Sequence, residues 1–374
     1  MQAYINATGQ YLPGAAVSNA QMGDYIGHIS PQADRLGALT LRQNGIRSRH
    51  YAVGKDGSSE HTASGMAALA LKDCLNNAAI DPQDIGFLAT STTQNDMLVP
   101  GMASQTHAAL GLPPMEIASL QSVCASSMMA VKYASLQVAS GEHRAALACG
   151  SEFSSRYFRP GKYLGTDVMR DDGTLPGDAE FLRWTLSDGA AGLMIEDTPR
   201  ENGVSLRIDW ISLRSFADRF APCMTGGVVQ GEGDALTPWS HIGTIDDAAS
   251  AGAFQLRQDI DALYRMLPVW LGEFMRLVDD GKIVTNEVDW FCCHYSARSL
   301  REEMTKLATK AGCMIPEERW FTNLSSKGNT GSASMFIMLE ALYASNDLVK
   351  GQNILCFVPE SGRFTSAFVL LTVC

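Results

Sequence analysis

Two stretches of this chain read as versions of one unit, and that self-similarity constrains the fold more than any other feature. One runs CASSMMAVKYASLQVASGEHRAALACGSE from Cys124 to Glu152, and the other NTGSASMFIMLEALYASNDLVKGQNILCFVPESG from Asn329 to Gly362. Each has small residues at a helix start, then a helix rich in Met, Ala and Leu. Each continues through a polar turn into an apolar strand and closes on a Gly with an acid nearby. The pattern suggests an internal duplication; chance likeness between two α/β units is the competing reading. A helix that is apolar on nearly every side has to be buried on nearly every side. The two equivalents would therefore pair back to back in the middle of the molecule.

The rest of the chain fits that arrangement. Near-continuous apolar runs occur at residues 85–92, 116–123, 144–150 and 189–196, then at 205–213, 288–294, 353–359 and 365–373. Helix-like segments separate them, which predicts α/β architecture with sheets covered on both faces. The runs at 189–196 and 365–373 each close a half and read as antiparallel additions. We place the halves at 1–198 and 199–374. Segments 154–183 and 215–251 are too long for simple connections and read as lids over a site.

Charge and cysteine usage narrow the function. The formal net charge of −11 argues against nucleic acid and anionic membrane surfaces. No run of 18 apolar residues reads as a membrane span. The N-terminus MQAYINATGQYLPG lacks the pattern of a signal peptide. The nine cysteines include no CxxC pair, so neither a disulfide framework nor a metal site is predicted, and the setting reads as reducing and cytoplasmic.

Cys124 ends a strand-like run and opens a helix. If Ala125 starts that helix, the thiol sits at its positive end, which favours an anion by about 0.3–1 kcal/mol, up to about 2 when partly buried. A thiolate reacts where a thiol barely does. The plain alternative is a packed core thiol. His294 is the one histidine delivered by the tip of a buried strand, the usual seat of α/β site residues; a satisfied core histidine is the alternative. Asn329 follows Gly328 at the start of the second duplicated helix, where it could simply be an N-cap. If the duplication is real, Asn329 occupies the place in one half that Cys124 occupies in the other, and the three converge. Cys, His and Asn in that order also occur in papain-like proteases, so the trio alone does not fix the reaction.

At this point the chain resembles the thiolase-fold condensing enzymes, closest to 3-oxoacyl-acyl carrier protein synthase III and its relatives in secondary metabolism. The likeness rests on YINATGQYLPG, NGIRSRHYA, SVCASSMMA, ACGSEFSS, SDGAAGLMIED, CCHYSARSL, KGNTGSASM and ESGRFTSAF. It implies two duplicated βαβαβαββ halves in an α-β-α-β-α layering. It implies that Cys124 carries an acyl group, that His294 and Asn329 donate to the second substrate's thioester oxygen, and that the backbone N–H groups of Cys124 and Gly362 form an oxyanion hole. Claisen condensation with a malonyl or 3-oxoacyl thioester would follow. The substrates would be acyl-CoA or acyl carrier protein thioesters, with no metal or redox cofactor, in a homodimer.

The departures from the family are specific. Its usual HQAN reads His294-Tyr295-Ser296-Ala297 here, so the neighbouring amides are lost. Arg42 is retained, but Ala38 stands where a tryptophan usually stacks on the coenzyme A adenine; Trp184, beside Arg183, is a candidate replacement. Val99 stands at the tip of the loop that reaches into the partner's acyl pocket, where Phe is common. The smaller side chain predicts a preference for medium or longer acyl chains. Arg156, Arg159, Lys162 and Arg183 are candidates for a carrier-protein surface. Ketosynthases that form dialkylresorcinols are one group the sequence resembles. The second reading is an acyltransferase on the same fold, passing the Cys124 acyl group to an alcohol or amine. A third is a non-catalytic subunit of a heterodimer.

Overall fold

The computed structural model describes residues 2–231 and 235–374. Part of the predicted lid at 215–251 therefore lies outside the described residues. In the N-terminal half the sheet strands are β1 (Tyr4–Tyr11), β2 (Ile85–Thr92), β3 (Glu116–Gln121), β4 (Ala145–Glu152) and β5 (Gly189–Glu196). The C-terminal half supplies β6 (Leu206–Ser215), β7 (Trp290–Cys293), β8 (Trp320–Phe321), β9 (Asn353–Pro359) and β10 (Thr365–Val373). The principal helices are α1 (Pro31–Asn44), α2 (Ala63–Asn76), α3 (Met102–Leu110), α4 (Ser126–Ala139), α5 (Gly177–Thr185), α6 (Ile260–Asp279), α7 (Arg298–Lys310) and α8 (Ser334–Ala344).

The strand order is β3-β2-β4-β5-β1 in one half and β8-β7-β9-β10-β6 in the other. Each strand of the second half thus matches the one five numbers lower in the first. The directions match too. β2 runs parallel to β3 and β4, and β7 runs parallel to β8 and β9. β5 and β10 are antiparallel to both neighbours within their halves. One topology used twice is the duplication that the sequence suggested. A short antiparallel contact, Tyr4 with Arg207 and Ile5 with Leu206, joins the halves.

Local sequence explains the helix ends. Ser30 caps α1 by accepting from the Ala33 N–H, with Pro31 in the first turn, and Gly45 closes it at φ +73°. Asp259 caps α6 by accepting from the Ala262 N–H. The central pair α4 and α8 differs from these surface helices. α4 touches β2, β3 and β4 of its own half and β6 and β10 of the other; α8 touches β7 of its own half and β1, β4 and β5 of the other. Met128, Val131 and Val138 of α4 share one core with Met335, Ile337 and Leu339 of α8. Burial between the halves is why most of each helix is apolar, although α4 also presents Tyr133 and Leu136 at the surface. The entrances to these two helices consequently meet in the middle of the molecule.

Candidate active site

Cys124 lies in the turn between β3 and α4, one residue before the N-cap Ala125. The hydroxyls of Ser126 and Ser127 donate to the carbonyls of Val123 and Cys124, each at 2.7 Å, not to the sulfur. Burial pushes the Cys124 thiol well above the ordinary cysteine range, and the carboxylates of Glu360 and Glu152 push it the same way. This corrects the sequence expectation of a thiolate favoured by the helix end. A terminal helix dipole contributes at most about 2 kcal/mol, and here desolvation of the anion and two buried acids outweigh it. Cys124 rests as a thiol.

His294 follows the last residue of β7, and its N–H donates to the Phe357 carbonyl of β9 at 2.9 Å. The ring has no hydrogen-bond partner among the described residues. Burial alone drives its pKa down to about 4, so the imidazole is neutral at physiological pH and offers one N–H. A void of about 200 Å³ borders it beside Asn323 and Ser334. That space adjoins a ring whose family-typical amide neighbours are missing from the sequence.

Asn329 sits before a short 3₁₀ turn, Gly331–Ala333, that precedes α8. Its Oδ1 accepts from the Gly331 N–H at 3.0 Å and the Ser334 hydroxyl at 3.4 Å. Both donors fix which end of the amide is oxygen, leaving the Nδ2 hydrogens free to donate. Two sequence readings of Asn329 are corrected here. It is not the helix cap, and it is not the positional twin of Cys124. The caps are Ala125 and Ala333, so Ser332 matches Cys124 and Asn329 stands three residues earlier. The extra 3₁₀ turn causes the offset.

Cys124, His294 and Asn329 line one cavity of about 720 Å³, its open mouth included. Leu182, Leu186, Leu263, Leu267, Trp270 and Met304 make much of the wall apolar. Both long segments read as lids contribute: Ser154 and Leu182 from the first, Met224 from the second. A second void of about 490 Å³, almost wholly apolar, shares Leu267, Trp270 and Met304 with the first. Among the described residues, no three His, Cys, Asp or Glu side chains cluster to hold a metal ion.

Gly362 stands in the loop between β9 and β10, and a Cβ there would lie 2.6 Å from Glu360 Oε1 and 2.9 Å from Val123 Cγ2. The loop thus packs directly on the residue before Cys124, and only glycine permits that approach. Among the described residues, neither the Cys124 N–H nor the Gly362 N–H bonds another backbone group.

Other sequence candidates lie elsewhere. Arg183 is 0 % exposed and donates to the carbonyls of Phe158, Ile26 and Gly27; it can form neither a substrate contact in the cavity nor a docking surface. Trp184 is buried, stacked by Arg183 and bonded to Glu180, so it does not replace the adenine platform. Arg156 pairs with Asp96 at 2.8 Å, and Arg159 bonds the Tyr25 carbonyl. Of that basic group only Lys162 is exposed. Their charges hold the 154–183 segment onto the body, a use that sequence proximity does not reveal. Arg42 is exposed on α1 and outside the cavity wall. Val99 is 80 % exposed and does not line this chain's cavity.

The sequence reading missed Glu152 and Glu360. Glu152 Oε1 accepts from the Thr93 N–H and hydroxyl at 2.9 and 2.6 Å and from the Ser332 N–H at 3.0 Å. Their signal was present: an acid closes each duplicated unit.

Two family models match the chain. The thiolase N-terminal domain covers residues 46–167, and the 3-oxoacyl-[acyl-carrier-protein] synthase III C-terminal domain covers residues 278–371. The first span contains Cys124, and the second contains His294, Asn329 and Gly362. Among solved structures, AbyA1, a tetronic acid condensing enzyme, superposes at TM-score 0.77 with 21% identity over 99% of both chains. The 3-oxoacyl-[acyl-carrier-protein] synthase III of Aquifex aeolicus gives 0.71 with 18% identity over 99% of both chains. Xanthomonas campestris OleA, solved with lauric acid and lauroyl-CoA, gives 0.73 with 18% identity over 100% of this chain and 99% of that one. At these identities the superpositions establish the fold. By fold and by the two family models together, this chain is a thiolase-fold protein resembling the condensing enzymes of the 3-oxoacyl-acyl carrier protein synthase III type.

Proposed function

We propose that this chain joins acyl thioesters by carbon–carbon bond formation, in lipid or polyketide biosynthesis, with Cys124 as the acyl carrier. The observation that carries the reading is the convergence of a thiol, a neutral imidazole and an orientation-fixed carboxamide on one largely apolar cavity. The Cys124 sulfur attacks the donor's thioester carbon, the donor thiol leaves with the proton, and the acyl group stays on sulfur. A malonyl thioester then loses carbon dioxide, and charge builds on its thioester oxygen as the enolate forms. Neutral donors fixed toward that oxygen lower the barrier, and His294 and Asn329 Nδ2 are such donors. The enolate carbon attacks the Cys124 thioester, the 3-oxo product forms and the sulfur is released. The N–H groups of Cys124 and Gly362, which bond no other backbone group among the described residues, suit the oxyanion of each attack at the acyl carbon. No step calls for a metal or redox cofactor.

The apolar wall and the adjoining void favour medium or longer acyl chains. Arg219, Arg257 and Arg265 border a more polar cavity that shares Gln258 with the first, and each also pairs with an aspartate, Asp218, Asp178 and Asp259 respectively. A phosphate of coenzyme A or of a carrier protein's arm would share these arginines with their aspartates, in place of the basic group that the sequence suggested. A homodimer fits the outer edge of β3, which among the described residues pairs only with β2 and is mostly exposed. α4, which touches β3, exposes Tyr133 and Leu136, and Leu98 and Val99 are exposed in the loop after β2. Among the described residues no helix is long and apolar enough to cross a membrane.

The test is a survey of acyl-CoA and acyl carrier protein donors by mass spectrometry of Cys124, followed by malonyl and 3-oxoacyl partners with product analysis. An acyl mass on Cys124 and a 3-oxo product are expected, with octanoyl or longer donors outpacing acetyl. Loading at another residue, or esters and amides as the products, would overturn the reading. Light scattering at the monomer mass would overturn the dimer.

A further inference from the structure

Glu360 directly follows β9 and is 1 % exposed. Its Oε1 accepts from the Ser122 hydroxyl in a short contact and from the Val123 N–H at 3.2 Å. Its Oε2 accepts from the Thr365 N–H at 3.0 Å. Ser122 and Val123 immediately precede Cys124, while Thr365 opens β10. Gly362 lies between Glu360 and Thr365. One side chain from the C-terminal half therefore ties the turn carrying Cys124 to the loop carrying Gly362. Only an acceptor at both oxygens satisfies this set of donors; an amide would face one of them with its own N–H groups.

On the reading above of Cys124 as acyl carrier, we propose that Glu360 is a positioning residue: its carboxylate holds the two loops in register so that the N–H groups of Cys124 and Gly362 converge on one thioester oxygen. The placement disfavours the thiolate, since the same negative charge faces the sulfur. Glu152, at the end of β4, acts on the sulfur in the same sense; neutral His294, Arg156 and Tyr295, whose phenol burial holds protonated, are the other titratable or charged groups that line the cavity among the described residues. A side chain serving to activate the sulfur would not carry this sign. Alignment of the donors accounts for its presence.

The sign difference supplies the test. Alkylation of Cys124 by iodoacetamide needs the thiolate but no oxyanion hole; acyl transfer needs both. In Glu360→Gln, loading from octanoyl-CoA or octanoyl carrier protein, whichever loads the wild type faster, should slow about 10- to 100-fold in kcat with KM little changed. Alkylation should accelerate, its pH profile moving to lower pH. Opposite movements support the proposal. Movement of both rates in one direction, or unchanged loading, overturns it. Ser122→Ala removes one donor and keeps the charge. Its loading should fall a few-fold with alkylation unchanged, and unchanged loading there overturns the proposal even if Glu360→Gln does not fold. A wild type that takes no acyl group on Cys124 from any donor refutes the function itself. A wild type that loads, beside a Glu360→Gln that loads equally well, refutes the positioning role alone.

Discussion

The entrances to α4 and α8 are built from the same parts and do different work. Each lies between the two halves of the sheet, and each is held by a buried glutamate from the end of the opposite half's fourth strand. Glu360 grips Ser122 and Val123 before α4, and Glu152 grips Ser332 before α8. They differ by one 3₁₀ turn. The α4 entrance is tight and presents a sulfur next to its own backbone N–H. The α8 entrance is longer, and the slack lets Asn329 fold its carbonyl back onto Gly331 and Ser334 while its amide hydrogens stay free. A nucleophile must be accessible and able to change charge. A donor must be fixed and neutral. On the proposed function, duplication supplied two equivalent anchorages, and a few residues of divergence separated those demands.

The comparison breaks most sharply at the nucleophile. Cys124→Ala should abolish acyl loading measured by intact-protein mass, whereas Asn329→Ala should load normally. Loading retained in Cys124→Ala would mean that the first entrance is not the carrier. Next, Asn329→Ala should lower carbon–carbon bond formation by about 10²–10³ in kcat; unchanged condensation would remove the second entrance from the chemistry. Gly362→Ala comes third. The added methyl meets Glu360 and Val123 at under 3 Å, and overpacking of this kind costs about 1–3 kcal/mol. A urea melt should show that loss, together with slower loading. Full stability and full loading would mean that the two loops are not held as described.

Two smaller effects sharpen the contrast. Glu152→Gln should slow condensation about tenfold while loading changes less, the reverse of Glu360→Gln, because Glu152 braces the turn after Asn329. Equal effects on both steps would erase the division of labour. The last concerns His294. Burial holds its native pKa near 4, against about 6.5 in the unfolded chain. The stability it contributes is whole above about pH 6.5 and is lost as pH falls through about 4. Between pH 7 and pH 5 the wild type should therefore lose about 2 kcal/mol more than His294→Gln in urea melts. Identical losses would mean that the ring is not held neutral by burial.

Much of the fold was legible because strands buried on both faces are written as unbroken apolar runs. Residues 85–92, 189–196, 353–359 and 365–373 read from sequence are the observed β2, β5, β9 and β10. That Cys124 and His294 line one cavity was legible for a related reason, since a polar or sulfur-bearing side chain at the tip of such a run stands out against its apolar neighbours. Arg183 and Trp184 were misread because sequence carries no record of which backbone carbonyls a guanidinium will find. The two glutamates were visible as acids that close each repeat. Their donors, however, come from residues in the opposite half, at a separation of 237 for Val123 and 180 for Ser332.

The sequence by itself determined the α/β class, the repetition of one unit and the residue types able to carry acyl chemistry. These follow from local periodicity and from which side chains sit at strand tips. Only the tertiary structure decided the protonation of Cys124, the free end of the Asn329 amide and the joining of two loops by Glu360. The first depends on burial and on two carboxylates beside the sulfur, the second on how a 3₁₀ turn folds Gly331 and Ser334 back onto the amide oxygen, and the third on donors brought across the seam between the halves; side-chain periodicity records none of these.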